Sequence, residues 1–179
     1  TMDYSGPGME HYPGVCHFNP KSNRWQSGRV FSSDDHGQTW AEKAQISMLI
    51  MRPFLAGNSI YLIGSTPDLG VVRSDDWGET WTSVTYFSQG EVWHQSASNV
   101  WYKGDHVYLV FERETDLSHD WPMDGIAPIL MRGCIHDDLT KRENWTFASE
   151  LVFNREVDEA QISEFGIPFR ANGPRVGWL

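Results

Sequence analysis

The chain has 179 residues, with 14 Lys and Arg against 24 Asp and Glu, a formal net charge of -10 and 40% hydrophobic residues. That length suits one domain with a real core, and the acidic balance excludes the basic patch on which nucleic-acid binding rests. Aromatic residues reach 13%, 16 Gly and nine Pro punctuate the chain, and no apolar run approaches the roughly 20 residues of a membrane-spanning helix, so the composition reads as a soluble, aromatic-rich β protein.

In chain order, residues 1–8 carry neither the charged nor the apolar stretch of a signal segment and read as chain already in progress. Residues 14–18 and 28–33 read as strands. A turn motif follows, Ser33-Asp34-Asp35-His36-Gly37-Gln38-Thr39-Trp40. Residues 48–56 and 59–64 read as a hairpin around Gly57-Asn58, with a third strand over 70–74. The turn motif then recurs as Ser74-Asp75-Asp76-Trp77-Gly78-Glu79-Thr80-Trp81, 41 residues after the first and matching it at six of eight positions. Residues 80–85 continue as the outer strand. The third unit repeats the register: 98–102, a turn at Lys103-Gly104-Asp105, then 106–111, 127–133 and 144–149. Its motif has decayed to His136-Asp137-Asp138-Leu139-Thr140, but Trp145 still opens the outer strand. Residues 169–179 read as the inner strand of another unit.

The repeated S-x-D-x-G-x-T-W is a turn by its chemistry. Asp35 and Asp76 can fold their carboxylates onto backbone N–H groups that follow them, and Gly37 and Gly78 supply the positive φ that closes the turn. Ser33 and Ser74 open the motif, Thr39 and Thr80 begin the next strand with the Trp that follows, and the indoles of Trp40, Trp81 and Trp145 are expected to be buried at equivalent positions, their N–H within reach of the Asp. These residues staple the fold and catalyse nothing. One carboxylate per turn is too few for calcium. No CxxC or clustered His/Cys spacing points to zinc, and no cofactor is implied. Cys16 and Cys134 are readable as a disulfide or as two free thiols.

A period of about 40 residues is that of a propeller blade. The motif resembles the Asp-box, or bacterial neuraminidase repeat, and the chain thereby resembles the sialidase superfamily. The resemblance implies an all-β fold: a β-propeller of four-stranded antiparallel blades, of which about four are present. Six is the number in sialidase-like propellers, so the ring is expected to be completed by further chain or by self-association with another copy. It also implies a carbohydrate substrate or ligand, and a secreted or periplasmic location.

Propeller topology sorts the loops by face, and the resemblance assigns substrate to the upper one, formed here by residues 19–27, 65–69, 83–93 and 112–126. His94 sits at the mouth of an inner strand after Glu91 and Trp93. It reads as a general acid or base, or as a structural histidine bonded to a neighbouring loop. Glu112 ends the second strand of the third blade and reads as its acid/base partner, or as an ion-pair partner of Arg113 or Arg52. Arg52, on an inner strand, can hold a substrate carboxylate. Arg113, Trp121 and His11 complete the candidate substrate contacts, Trp121 as a sugar platform or a loop anchor. No Arg-Ile-Pro sequence of the sialidase kind precedes Ser33, and loop 19–27 offers Lys21 and Arg24 but no aspartate. No sialidase catalytic residue is therefore carried over. The wording of the inner strands resembles bacterial sialidase-like proteins of undetermined substrate. Three functions remain open: an exo-acting glycoside hydrolase on an acidic or terminal sugar, a polysaccharide lyase, and a non-catalytic propeller that binds glycan or protein.

Overall fold

The structure is a computed structural model that describes residues 1–5, 17–19, 24–95, 100–115 and 126–148. It is all-β. Three antiparallel sheets follow one another along the chain, each packing a face on the next, as successive blades of a β-propeller do. Among the described residues the helical content is one 3-10 turn, Arg142–Asn144.

The first sheet is built from β1 (Met2–Ser5), β2 (His17–Asn19), β3 (Arg24–Ser32) and β4 (Ala41–Ile46), with β3 pairing the other three. The second has β5 (Leu49–Ala56), β6 (Ser59–Ser65), β7 (Leu69–Ser74) and β8 (Thr85–Tyr86) in sequential order. In the third, β9 (Trp93–Gln95) and β10 (Trp101–Lys103) both pair with β11 (His106–Glu114), followed by β12 (Ile126–Cys134) and β13 (Trp145–Phe147). The hairpins β5–β6 and β10–β11 close on Gly57 (φ 58°) and Gly104 (φ 54°), a conformation that costs a residue without Cβ little.

The middle sheet is buried on both faces, which explains why β6 and β7 are near-continuous apolar runs. Leu62 and Val72 turn toward the first sheet and pack with Ile46, Met48 and Met51. Tyr61, Ile63 and Val71 turn the other way and pack with Phe54, Trp93, Leu109, Phe111, Met131 and Trp145. Phe54 stacks on Tyr61 at 5.2 Å and meets Trp145 edge-on at 5.8 Å. The Tyr102 hydroxyl lies 2.9 Å from Leu55 N and 3.0 Å from Leu55 O, tying β10 to the edge of β5. Gly64 is obligatory for the irregular start of β5, since a Cβ there would stand 2.6 Å from the Leu49 carbonyl oxygen.

The two eight-residue turns are nearly superimposable in their bonding. In the first, Asp35 Oδ1 accepts from Thr39 N at 2.8 Å and Oδ2 from Thr39 Oγ1 at 2.6 Å, while Ser33 Oγ accepts from Gly37 N at 2.7 Å. In the second, Asp76 receives Thr80 N at 2.9 Å and Thr80 Oγ1 at 2.6 Å, and Ser74 receives Gly78 N at 2.7 Å. The decayed third turn keeps the Asp–Thr bonds through Asp138 and Thr140. Hydrogen bonds, chiefly from Thr39 and Thr80, hold the Asp35 and Asp76 carboxyls down at about 2. A depressed carboxyl pKa stabilises the fold fully above the unfolded value near 3.8, and that stabilisation is lost as pH falls through 2. Asp76→Ala should therefore lower Tm clearly at pH 6, with the gap to the unaltered chain narrowing in scans toward pH 2.

Several expectations need correction. Residues 1–8 contain a strand, β1, which pairs with β3. The strand expected over 80–85 shrinks to Thr85–Tyr86, because Thr82 occupies Arg73 through one backbone and one side-chain bond where a regular ladder would run. The inner strand expected over 98–102 is described from Trp101 onward, and a separate piece, β9, pairs nearer the other end of β11. The indole N–H of Trp40 and of Trp81 donates to a glycine carbonyl, at 3.0 and 3.1 Å, and not to the Asp. Trp145 is buried and Trp81 half-buried, whereas Trp40 is 63% exposed. Each indole seats toward the sheet before its own: Trp81 against the first–second core, Trp145 within the second–third core. Among the described residues there is no sheet before the first against which Trp40 could seat in the same way. Three sheets are described, and the inner strand expected over 169–179, which would open a further blade, lies outside the described residues. Cys134 carries a free thiol, and Cys16 lies outside them.

Candidate functional site

Alternation along β11 sets the site. Val107, Leu109 and Phe111 turn into the core between the second and third sheets. Tyr108, Val110, Glu112 and Glu114 therefore share the opposite face. Two carboxyls end that face, and both are buried: Glu112 is 4% exposed and Glu114 7%. Glu112 Oε2 and both oxygens of Glu114 have no hydrogen-bond partner among the described residues.

β9 brings the imidazole to them. Its register sets His94 directly across from Glu112, with Trp93 across from Arg113. Trp93 is in the core, so His94 faces the carboxyl side. Directly opposed residues hold their Cβ atoms about 5 Å apart. The His94 side chain is 25% exposed, and its Nε2 stands 3.7 Å from Glu114 Oε2. The imidazole is the solvent-facing member of the group and the carboxyls stand behind it.

A second set of residues holds β9 in place. Asp68 accepts from Ser88 Oγ at 2.7 Å, Glu91 N at 2.9 Å and Gly90 N at 3.0 Å. Burial works to raise the Asp68 pKa, but these bonds outweigh it and the net shift is downward. Glu91 then accepts from Trp93 Nε1 at 2.8 Å and from Arg113 Nη1 at 2.9 Å. Trp93 N bonds to Pro67 O and Glu114 N to Val92 O. The approach to His94 is fastened from three sides.

The expected residues distribute as follows. His94 and Glu112 are brought together as cross-strand neighbours. Arg113 pairs with Glu91, on the far side of β11 from Glu112. Arg52 lies on β5 opposite Ile63, on the face of the second sheet turned toward Trp93, and burial lowers its pKa. The backbone of β9 thus separates Arg52 from the His94–Glu112 face. His11 and Trp121 lie outside the described residues. Glu114, Asp68 and Glu91 were not given roles from sequence. The signal for Glu114 was its position two residues after Glu112, which a strand puts on the same face.

Burial pushes the Glu112 carboxyl up to about 7. The fold therefore prefers the neutral acid. Relative to an unfolded carboxyl at 4.5, the stability it contributes is fully present below that value and is lost as pH rises through 7. A neutral carboxyl next to an imidazole is a proton donor at neutral pH, and the pair can pass one proton between an acid form and a base form.

A cavity of about 520 Å³ opens at the other end of the same two sheets, lined by Tyr61, Arg73, Asp75, Asp137 and Asp138 among others. Its charges answer one another, with Arg73 at 2.7 Å from Asp75 and 3.6 Å from Asp138, so it reads as a structural seam. Among the described residues no group of three His, Cys, Asp or Glu side chains is spaced to hold a metal ion, and no helix is long and apolar enough to cross a membrane.

No protein-family model matches the chain, and no curated protein matches it in sequence. Among solved structures it is similar to an alpha-L-arabinanase of Penicillium chrysogenum complexed with arabinobiose, at 16% identity and a TM-score of 0.45, over 72% of this chain and 42% of that one. The chain thus spans about two fifths of the length of that structure.

Proposed function

We propose that the chain is part of a glycan-active, sialidase-like propeller, an exo-acting glycoside hydrolase on an acidic or terminal sugar. The observation that carries this reading is a partly exposed imidazole set across from a buried carboxyl, whose burial pushes its pKa up to about 7. In it, His94 exchanges a proton at the glycosidic linkage and Glu112 supplies or stores that proton behind it. Arg52 lies across the β9 backbone from this pair and is left out of it. Arg113 acts by holding Glu91 and hence β9. Trp121 and His11 keep the stacking and polar contacts that their sequence positions give them.

One further reading draws on the same observation. An imidazole backed by carboxyls can equally abstract a proton next to a uronate carboxylate, which is lyase chemistry. The test is turnover of a panel of sialosides, uronate oligosaccharides and neutral arabino- and gluco-oligosaccharides. Release of a terminal sugar with a new reducing end and no near-ultraviolet absorbance is the expected outcome. An absorbing unsaturated product would select the lyase. Binding without turnover on every member of the panel would overturn both and leave a binding propeller.

A further inference from the structure

The two carboxyls beside His94 differ in what they do. Glu112 is its direct cross-strand neighbour, yet the recorded ion-pair approach to the imidazole is made by Glu114, two residues further along β11 and on the diagonal. The Glu114 side chain is 1% exposed, and neither of its oxygens has a hydrogen-bond partner among the described residues. A carboxylate so desolvated is stabilised by whatever cation it can reach, and the imidazolium is within 3.7 Å.

We propose that Glu114 is the positioning residue of the site: it pairs with the protonated form of His94 and holds the ring in place. The division follows from placement. Two carboxyls on successive same-face positions of a strand have Cα atoms only about 7 Å apart. Ionising both in one buried pocket is costly, so a single negative charge settles where a positive one answers it. Glu114, at 3.7 Å from His94 Nε2, is the carboxyl so placed.

The other charged or titratable groups given by the register of β11 stand at other positions along it. From β12, Pro128 stands opposite Glu112 and Ile126 opposite Glu114, so that strand presents no charge there; Arg132 and Cys134 are opposite Tyr108 and His106. Lys103 of β10 is also opposite His106, six residues along β11 from Glu112 and hence roughly 20 Å away. Glu91 and Arg113 answer each other on the reverse face, and Arg52 belongs to the second sheet. Among the described residues, Glu112 and Glu114 are the carboxyls whose register positions on β11 face His94.

The inference deepens the proposed function, but its test needs no substrate. The His94 ring is titrated by heteronuclear NMR in the full chain, in Glu114→Gln, in Glu112→Gln and in Glu114→Asp. The expected result is a His94 pKa above 7 in the unaltered chain, lowered by one unit or more in Glu114→Gln and restored at least halfway in Glu114→Asp. In Glu112→Gln it should stay within about half a unit. A His94 pKa at or below 6.5 in the unaltered chain would overturn the proposal even if Glu114→Gln failed to fold. So would an equal or larger fall in Glu112→Gln. Absence of glycan turnover with these shifts intact would defeat the hydrolase reading and leave the Glu114–His94 pairing standing.

Discussion

Replacing His94 with alanine should lower glycan turnover by about 10² to 10⁴-fold, the usual loss when a positioned acid/base is removed, while Tm falls by a few degrees, because the buried Glu114 loses the cation nearest to it. The two halves of that expectation have separate grounds. His94 is the solvent-facing member of the group, with a side chain 25% exposed, so its truncation opens no large cavity. It also stands on a strand whose position is set by other residues: Asp68 fastens the loop, Glu91 takes the Trp93 N–H, and the β9–β11 ladder persists without an imidazole. Rate measurements on the panel and a thermal scan check both. Near-native turnover would move the chemistry away from this face. A fall in Tm of roughly 10 °C or more would make His94 structural, and its loss of activity uninformative.

The second large effect concerns stability and separates two tryptophans that the repeat makes equivalent. Trp145→Ala should cost about 3–5 kcal/mol, as removal of a buried aromatic does, and lower Tm by roughly 10 °C. The indole is 4% exposed, meets Phe54 and Phe87, and donates to Leu139 O at 3.0 Å. Trp40→Ala should cost about 1 kcal/mol or less, since the indole is 63% exposed and gives up chiefly one solvent-accessible bond to Gly37 O. Equal large losses in the two variants, read from denaturant or thermal unfolding, would mean that Trp40 is seated on another sheet in solution.

What the sequence disclosed follows from how local each feature is. The closing of the turn motif by its Asp and Gly was legible, because those residues at fixed offsets leave the backbone one economical way to turn, whereas the glycine-carbonyl partner of each indole was not. Strands β5, β6, β7, β11 and β12 were legible because each is a run of apolar or alternating residues bounded by Gly-containing turns. Burial of Trp40 was misjudged because it depends on a neighbouring sheet and not on the motif. The pairing of His94 with Glu112 was legible as adjacency on a rim, but the exact register was not: it depends on Asp68 and Glu91 pulling residues 88–93 into place. Glu114 was passed over because a carboxylate near the end of a strand looks like a loop charge. Only packing reveals that it is buried. Arg52 was grouped with His94 by its inner-strand position, whereas the pleat turns the two toward different faces.

The account rests on a carboxyl kept protonated behind the imidazole, and that is directly measurable. Carbon-detected NMR of side-chain carboxyls, with Glu112→Gln as the assignment control, gives the midpoint at which Glu112 ionises in the folded chain. The burial of this side chain predicts a midpoint of about 7, and with it a stability that declines from pH 4.5 upward through that value. A midpoint near the ordinary 4.5 would mean that Glu112 is solvated and ionised at neutral pH, and the proton-donating site described for this face would not exist.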